Sequence, residues 1–456
     1  MSRFPDWPPD AAPIPRTALS RGVVLSGAGL KGLALAYPWV PEVRDGDTSP
    51  DDYIVDSEAP ADPPRRFRTL QAAVDQAIRD GAGARDDGRR VIRIAPGFYR
   101  GPVFLPAEAP PLSLLGAGSE KVTLAARIDA QMPGREYEER FDADFAAAPP
   151  PVRAQFARIA ARERITTGNT AVLRIERSDT CVAGLTIRND YACDRREAAP
   201  PGAVPDVNGR YAHGQHQAVA CHVAGADRVQ LLDLHLESFQ DTLYLQSPVA
   251  GIGRSYLSGC RISGDVDFIF GGATAFFDRC EVVTRGSRGA RSWALAPSTN
   301  LWMPHGFVFD RCRFSHDGSE AGRDGTSFLG RQWFEGVRAT PYCVPNGAQY
   351  RCVLGDADNL DAHVGQISRR CLEAVGKCIV LNSQIGAHIS RAPPWDAWSA
   401  GDWSPRYRPV QASGREFLRY LDAWLAEMKR DYACVCAHPA WLRVENCTTC
   451  QDRVRS

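Results

Sequence analysis

The feature that most constrains the fold is a short pattern that recurs in the middle of the chain. In the segments LSGCRISG, FDRCEVVT and FDRCRFSH, a cysteine precedes a charged residue and then an aliphatic or phenylalanine position. Cys260 and Cys280 are 20 residues apart, about the length of one coil in a solenoid that stacks like side chains on each other. Together with Cys312, they are predicted to form an interior ladder of inert, buried thiols. Asp233 in LLDLHLES and Asn382 in VLNSQIG are predicted to occupy the same slot.

Helical periodicity interrupts the β pattern at three places. Leu70, Val74 and Ala77 recur at helical spacing, which predicts a short amphipathic helix that caps the stack. A polar helical insertion is predicted for 130–164, outside the strands. Near the C-terminus, the segment GREFLRYLDAWLAEMKRD predicts a helix whose apolar face docks on the solenoid.

These patterns divide the chain into three parts. Residues 1–64 are predicted to be an extended N-terminal segment, and residues 65–395 an all-β domain, a right-handed parallel β-helix. Residues 396–456 are predicted to form a C-terminal loop, a helix and a Cys-rich tail.

The Cys-rich tail leaves three alternatives open. Cys434 and Cys436 form one close pair, and Cys447 and Cys450 form another. A metal knuckle, a disulfide clasp and plain thiols all fit four such cysteines. The C-x-C spacing of the first pair departs from the usual spacing of structural zinc sites, which favours a clasp or plain thiols.

Charge and hydropathy exclude several functional classes. Lys and Arg number 54, as do Asp and Glu, so no net charge attracts the chain to nucleic acid or to an anionic membrane surface. No segment approaches the roughly 18 uncharged apolar residues of a membrane span. The N-terminal residues, MSRFPDWPPDAAPIP, also lack the basic and apolar pattern of a secretory signal.

Polar side chains in otherwise apolar strands indicate where chemistry is concentrated, because burying such groups is costly unless they are paired. Asp241 and Asp267 are 26 residues apart, so on a parallel solenoid they are expected to face each other on adjacent coils. Two close carboxylates cannot both ionise easily, so one stays protonated and the other stays an anion. That division suits a general acid and a nucleophile.

Three further side chains complete the arrangement that an ester hydrolase needs. Arg331 is predicted to hold one carboxylate ionised through a bidentate contact. The amides of Gln217 and Gln240 are predicted to donate to an oxyanion. No G-x-S-x-G segment is present, which disfavours a serine hydrolase. The competing interpretation is that the aspartates are turn residues or satisfied members of the stack, and it leaves the coincidence of five suitable side chains unexplained.

Three histidines near Gln217 invite a metal-site interpretation. His213, His216 and His222 alternate unevenly and have no carboxylate partner at ligand spacing. A solvated or strand-face role is therefore favoured over metal binding, and no metal site is predicted.

Four segments, HQAVA, FQDTLY, GDVDFIFGGA and LGRQW, resemble the signature segments of pectin methylesterases. The resemblance extends to FRTLQAAVDQAI, VIRIAPGFYRGPV and LTIRNDY, and so covers roughly 67–390. It is closest to the bacterial, plant-pathogen type. Gln332 stands where the family usually has proline, and neither the insertion at 130–164 nor the Cys-rich tail has an assignable counterpart.

The resemblance implies a role for each site residue. Asp267 would be the nucleophile, Asp241 the general acid and then base, and Arg331 the residue that fixes Asp267. Gln217 and Gln240 would line the oxyanion site. Trp333 and Phe270 would flank the sugar, although a lone Trp beside a strand is often only part of the core.

The resemblance also implies a substrate and a location. The expected reaction is hydrolysis of the methyl esters of homogalacturonan to pectate and methanol, by a monomer without cofactor or metal. Family members are typically secreted or periplasmic, although this sequence shows no clear export signal. An esterase or thioesterase for another acyl group and a non-catalytic carbohydrate-binding β-helix remain alternatives. Five arginines are candidates for a groove that binds an acidic polymer, or are merely solvated: Arg254, Arg261, Arg285, Arg288 and Arg291.

Overall fold

A computed structural model describes residues 2–26, 39–41, 52–60, 62, 64–85, 87–248, 251–286, 288–289, 291–319, 325–333, 353–354, 366–367, 373–398, 410–416 and 441–450. Three sheets of 11, 9 and 8 strands run the length of this part of the chain, here called the first, second and third sheets. Successive coils contribute one strand to each sheet in turn, and every ladder within the three sheets is parallel. The chain is therefore the predicted right-handed parallel β-helix.

The strands of each sheet follow one another in chain order, except that the first two strands of the first sheet are exchanged. The first sheet contains Arg66–Phe67, Tyr53–Val55, Arg90–Ile94, Leu112–Gly116, Cys181–Ala183, Val229–Leu232, Arg254–Ser258, Thr274–Asp278, Phe307–Asp310, Cys378–Leu381 and Leu442–Glu445. The second contains Gly97–Arg100, Val122–Ala126, Thr186–Asn189, His235–Glu237, Arg261–Gly264, Glu281–Thr284, Arg313–His316, Gln384–Gly386 and Thr448–Cys450. The third contains Val103–Leu105, Leu173–Ile175, Cys221–Ala224, Leu243–Gln246, Val266–Gly271, Trp293–Pro297, Phe328–Arg331 and Trp395–Asp396. Val353–Leu354 and Gln366–Ile367 form a separate parallel pair.

A ladder of small buried side chains lines the interior where the chain passes from the first sheet to the second. Cys260, Cys280 and Cys312 are at most 2% exposed, as predicted. The backbone N–H of Cys280 donates to the sulfur of Cys312 over 3.4 Å, and the N–H of Cys312 donates to the hydroxyl of Ser383 over 3.0 Å. Ser383 in turn donates its N–H to the sulfur of Cys447 over 3.5 Å. These thiols are packing residues whose neighbours are one coil away.

The predicted places of Asp233 and Asn382 in this ladder are wrong by one residue. The register aligns both with Arg279, which precedes the cysteine slot, so that Ser383 rather than Asn382 occupies the slot. Asp233, Arg279 and Asn382 share a positive φ of 49°, 51° and 48°. Asp and Asn tolerate this left-handed conformation better than most residues, and here it makes the tight turn between two sheets.

Helices lie outside the coils. The predicted cap is Leu70–Asp80, where the side chain of Thr69 accepts a hydrogen bond from the N–H of Ala72. The predicted insertion forms Gly134–Phe145 and Pro150–Ala160, and Phe145 stacks on Phe104 of the third sheet at 4.9 Å. Shorter helical segments are Arg16–Leu19, Arg21–Ser26, Thr167–Asn169 and Arg196–Ala198.

The described helices are short, and most of the predicted C-terminal helix lies outside the described residues. No described helix is both long and apolar enough to span a bilayer. Of the C-terminal helix predicted for 414–431, only 414–416 belong to the described residues, and these are helical.

The sheets extend beyond 65–395 at both ends. Tyr53–Val55 begins the first sheet, and Leu442–Glu445 and Thr448–Cys450 form a last coil within the predicted Cys-rich tail. Cys447 is a free, buried thiol, and Cys450 is buried in the last strand. Cys434 and Cys436 lie outside the described residues.

The N-terminal segment covers the exposed edge of that last coil. The N–H of Phe4 donates to Cys447 O over 3.0 Å, and the N–H of Trp7 donates to Val444 O over 2.9 Å. Arg3 and Trp7 form antiparallel bridges with Thr448 and Val444. Because an unpaired strand edge invites association with other chains, this pairing protects the C-terminal end of the β-helix.

Candidate active site

The two predicted aspartates lie side by side at the start of neighbouring strands of the third sheet. Leu243 pairs with Ile269 and Tyr244 with Phe270, so Asp241 and Asp267, each two residues before the first of these pairs, are in register on adjacent coils. Both have positive φ, 68° and 50°, and both line a cleft of about 640 Å³. The structure thus brings the carboxylates together as the spacing predicts.

Arg331 binds Asp267 through both of its carboxylate oxygens. Its Nε donates to Oδ1 over 2.9 Å, and its Nη2 donates to Oδ2 over 2.7 Å. The two side chains are only 16% and 11% exposed, so little water competes for these bonds. Such a fork-like contact fixes the orientation of the carboxylate as well as its charge.

Asp241 has a different environment although it lies beside Asp267. Burial raises the pKa of Asp241 well above the ordinary carboxyl range, and the negative charge of Asp267 raises it further. Arg331 lowers the pKa of Asp241 by less than Asp267 raises it, and the hydrogen bonds of Arg331 go to Asp267. The pair therefore contains one carboxylate held by a guanidinium and one carboxyl that favours its protonated form.

Two amide side chains stand next to the carboxyl groups. Gln217 and Gln240 form a parallel bridge between adjacent coils, and both line the cleft. The side-chain amide of Gln217 donates to Gln215 Oε1 over 2.9 Å, a bond on an exposed surface. Both glutamines thus line the same cleft as Asp241 and Asp267.

Aromatic rings form one wall of the cleft. His222, Tyr244 and Phe270 are in register on three coils and stack face to face, with centroids 4.3 Å and 4.2 Å apart. Trp333 meets the ring of Phe270 edge-on at 5.6 Å. The structure thus places Trp333 and Phe270 together, as the sequence predicts, and adds two rings that sequence reasoning missed.

A second feature that the sequence did not reveal holds the guanidinium of Arg331. Its Cζ lies 4.2 Å from the ring centroid of Trp293 and 4.6 Å from that of Trp398. The indole N–H of Trp293 donates to Asp396 Oδ2 over 2.8 Å, which fixes that ring. These contacts hold the guanidinium of Arg331 in place beside Asp267.

The three histidines lie in different environments. Burial lowers the pKa of His222 to about 3 and that of His216 to about 4, with a nearby arginine contributing in each case. Both are therefore neutral at ordinary pH. Nδ1 of His216 is 2.7 Å from the hydroxyl of Tyr191, whereas His213 is exposed. Among the described residues, no three His, Cys, Asp or Glu side chains are grouped to hold a metal ion.

The five arginines proposed for an acidic-polymer groove do not line the cleft. The sequence could not reveal which face each one occupies, and the structure gives each a local role instead. Arg254 pairs with Asp227, Arg261 with Glu281, Arg288 with Asp265 and Arg291 with Asp396, and Arg285 lies over the ring of Phe239. Among the described residues, the arginines that do line the cleft are Arg162, Arg174 and Arg331.

Comparison with known proteins is consistent with this geometry. The family model described as Pectinesterase matches residues 208–340, which include all seven predicted site residues. Pectinesterase B of Pectobacterium parmentieri is 31% identical over 342 residues, 72% of this chain and 73% of that protein.

Solved structures share the fold. The structure of rice weevil pectin methyl esterase superposes with a TM-score of 0.67 at 22% identity, covering 95% of this chain and 94% of that one. A pectin methylesterase in complex with a hexasaccharide gives a TM-score of 0.54 at 24% identity, with 81% and 87% covered.

Proposed function

The chain belongs to the pectinesterase family of carboxylic ester hydrolases, and we propose that it removes methyl groups from homogalacturonan by means of Asp267 and Asp241. The observation that carries this proposal is the asymmetry of the two carboxyl groups. Asp267 is held by both arms of a guanidinium, whereas burial and the neighbouring charge raise the pKa of Asp241. An anion next to a carboxylic acid suits attack on an ester followed by protonation of its leaving group.

In the first step, a carboxylate oxygen of Asp267 attacks the carbonyl carbon of the methyl ester. The C=O electrons move to the oxygen, and the amides of Gln217 and Gln240 donate hydrogen bonds to this oxyanion. The tetrahedral intermediate then collapses and breaks the bond to the methoxy oxygen. Asp241 gives its proton to that oxygen, so methanol leaves and an acyl anhydride with Asp267 remains.

In the second step, Asp241 is a carboxylate and acts as general base. It takes a proton from a water molecule, whose oxygen attacks the carbonyl carbon of the galacturonyl group. The bond to Asp267 breaks, so the sugar leaves with a carboxyl group and Asp267 is again an anion held by Arg331. Asp241 has regained its proton. One water is consumed, and one methanol and one carboxylic acid are formed.

The aromatic wall supports a sugar as the bound group. Phe270 and Tyr244 present stacked rings along the cleft, and Trp333 stands edge-on to them. Aromatic faces pack against the C–H surfaces of a pyranose while its hydroxyl groups stay hydrated. A cleft that crosses several coils also suits an elongated polymer. Because pectin is a cell-wall polymer, the proposal includes action outside the cytoplasm.

The substrate is tested by measuring methanol release from highly methylated pectin, with a short-chain acyl ester as comparison. We expect methanol in amounts that match the new carboxyl groups found by titration. Turnover of the acyl ester with no methanol from pectin would reassign the substrate while leaving an ester hydrolase. Failure on both esters, with a folded protein, would contradict the proposed function.

A further inference from the structure

Gln332 is a buried polar side chain between two residues of the site, Arg331 and Trp333. It is 2% exposed and does not line the cleft. Its Nε2 donates to the carbonyl oxygens of Val375, of Gly376 over 3.0 Å and of Gln411 over 3.1 Å. Its Oε1 accepts the backbone N–H of Gln411 over 2.9 Å. One side chain thus joins two segments that are distant in sequence.

The first of these segments is tied to the end of a strand that contributes Ala296 to the cleft lining. The N–H groups of Val375 and Gly376 donate to Thr299 O over 2.9 Å and 3.1 Å. Thr299 follows the strand Trp293–Pro297, and the N–H of Trp333 donates to Pro297 O over 2.9 Å. The backbone around Trp333 and the amide of Gln332 therefore belong to one closed hydrogen-bonded ring.

The second segment connects to the last coil of the β-helix. Ala412, next to Gln411, accepts the N–H of Trp441 over 2.7 Å through its carbonyl oxygen. Trp441 O accepts the N–H of Cys378 over 2.6 Å. Residues 410–412 are thus held between Gln332 on one side and the strands of the final coils on the other.

We propose that Gln332 is a positioning residue, which fixes Arg331 and Trp333 by anchoring their backbone and couples residues 410–412 to the cleft. Proline would stiffen this backbone through its ring but has no side-chain donor or acceptor. In this chain the side-chain amide supplies the restraint instead. A buried amide with four partners is costly to remove, because each group left without a partner loses about 1–3 kcal/mol. The kinetic part of this inference rests on the proposed function.

Kinetics of Gln332→Met test the positioning role, because methionine keeps the length of the side chain and removes its hydrogen bonds. Displacing a reacting group by about 1 Å can lower the rate roughly 100-fold. We expect kcat to fall about 10-fold or more through Arg331, with a smaller rise in KM through Trp333. In an Arg331→Lys background the additional loss in kcat should shrink, because two changes that act through one group are not additive.

The matched control is Gln71→Met. Gln71 is 4% exposed, donates to Asp75 over 2.7 Å and accepts the N–H of Phe104 over 2.8 Å, but it belongs to the cap helix. It should lose stability to a similar degree with kcat unchanged. Equal kcat in both variants, or full additivity with Arg331→Lys, would overturn the positioning role.

Amide hydrogen exchange provides a readout that needs no substrate. Gln332→Met should speed exchange in peptides that contain 329–333 and 410–412, and Gln71→Met should leave both unchanged. A second variant, Gln332→Glu, turns a carboxylate oxygen toward the carbonyl oxygens that the amide now binds, and should speed exchange at 410–412 at least as much as methionine does. Unchanged exchange at 410–412 in Gln332→Met would refute the coupling even if the wild type proved inactive on pectin. Inactivity of the wild type alone would count only against the proposed function.

Discussion

Replacing Arg331 by lysine tests how far the guanidinium controls the nucleophile. Lysine keeps the positive charge but loses the fork that makes two hydrogen bonds to Asp267, at 2.9 Å and 2.7 Å. One hydrogen bond to a charged group contributes about 1.5–3 kcal/mol. Stacking between Trp293 and Trp398 contributes roughly 0.5–1 kcal/mol more. The lysine ammonium group keeps part of the hydrogen bonding and part of the attraction to the aromatic rings, so we expect a net loss of about 2 kcal/mol.

If that loss falls on the transition state, kcat/KM decreases roughly 30-fold. The assay is initial-rate methanol release, together with urea unfolding to confirm that the variant is folded. Arg228→Lys is the matched control, because Arg228 binds both oxygens of Asp179 at 2.7 Å on a turn outside the cleft. It should leave kcat/KM unchanged. A rate in Arg331→Lys equal to wild type, or an equal loss in Arg228→Lys, would refute this account of the fork.

Three further predictions concern single side chains. Asp241→Asn should abolish turnover yet stabilise the fold at alkaline pH. The pKa of Asp241 is raised in the folded state, so its neutral form stabilises the fold at low pH, and that contribution is lost as pH rises through the pKa. Urea unfolding of wild type and variant at acidic and alkaline pH measures this difference, and equal pH dependence would contradict it. Gln217→Ala should lower kcat roughly 100-fold, the effect of one oxyanion donor, with KM nearly unchanged; a change confined to KM would argue against that role. Burial lowers the pKa of Lys377 to about 7, so the unfolded chain binds more protons than the folded chain between that pH and the ordinary lysine range. The stability of the wild type relative to Lys377→Met should therefore rise with pH in this range. Urea midpoints at pH 6 and pH 10 measure it, and they would show no such trend if the amine were solvated.

The repeat was predictable from the sequence because stacked coils impose like residues at like positions. The 20-residue spacing of Cys260 and Cys280 gave the ladder directly. Asp233 and Asn382 were placed one residue out of register, since a polar residue beside an aliphatic one fits either the turn or the slot. The register between neighbouring coils distinguishes the two, and the residue pattern alone leaves that register open by one residue.

The chemistry of the site was predictable where it depends on register within adjacent coils. Asp241, Asp267 and the two glutamines follow from that register. Trp398 was missed because it reaches Arg331 across 67 residues of sequence.

His222 and Tyr244 were missed for a different reason. Matching Gln217 with Gln240 places Tyr244 opposite Cys221, because the segment HQAVACHV has one more residue before its ring than FQDTLYLQ has. The structure pairs His222 with Tyr244, and this one-residue offset hides the stack from a gapless alignment. The partners of Gln332 were not predictable, since they are backbone carbonyl groups that no sequence pattern marks.

The measurement that tests the central claim most directly is methanol release from methylated pectin by Asp267→Ala, beside wild type and Asp179→Ala. Asp179 also has a two-pronged arginine partner, so its loss reproduces the broken ion pair without touching the cleft. We predict no detectable turnover in Asp267→Ala, with the folded state retained, and wild-type turnover in Asp179→Ala. Turnover by folded Asp267→Ala at the wild-type rate would show that another group attacks the ester.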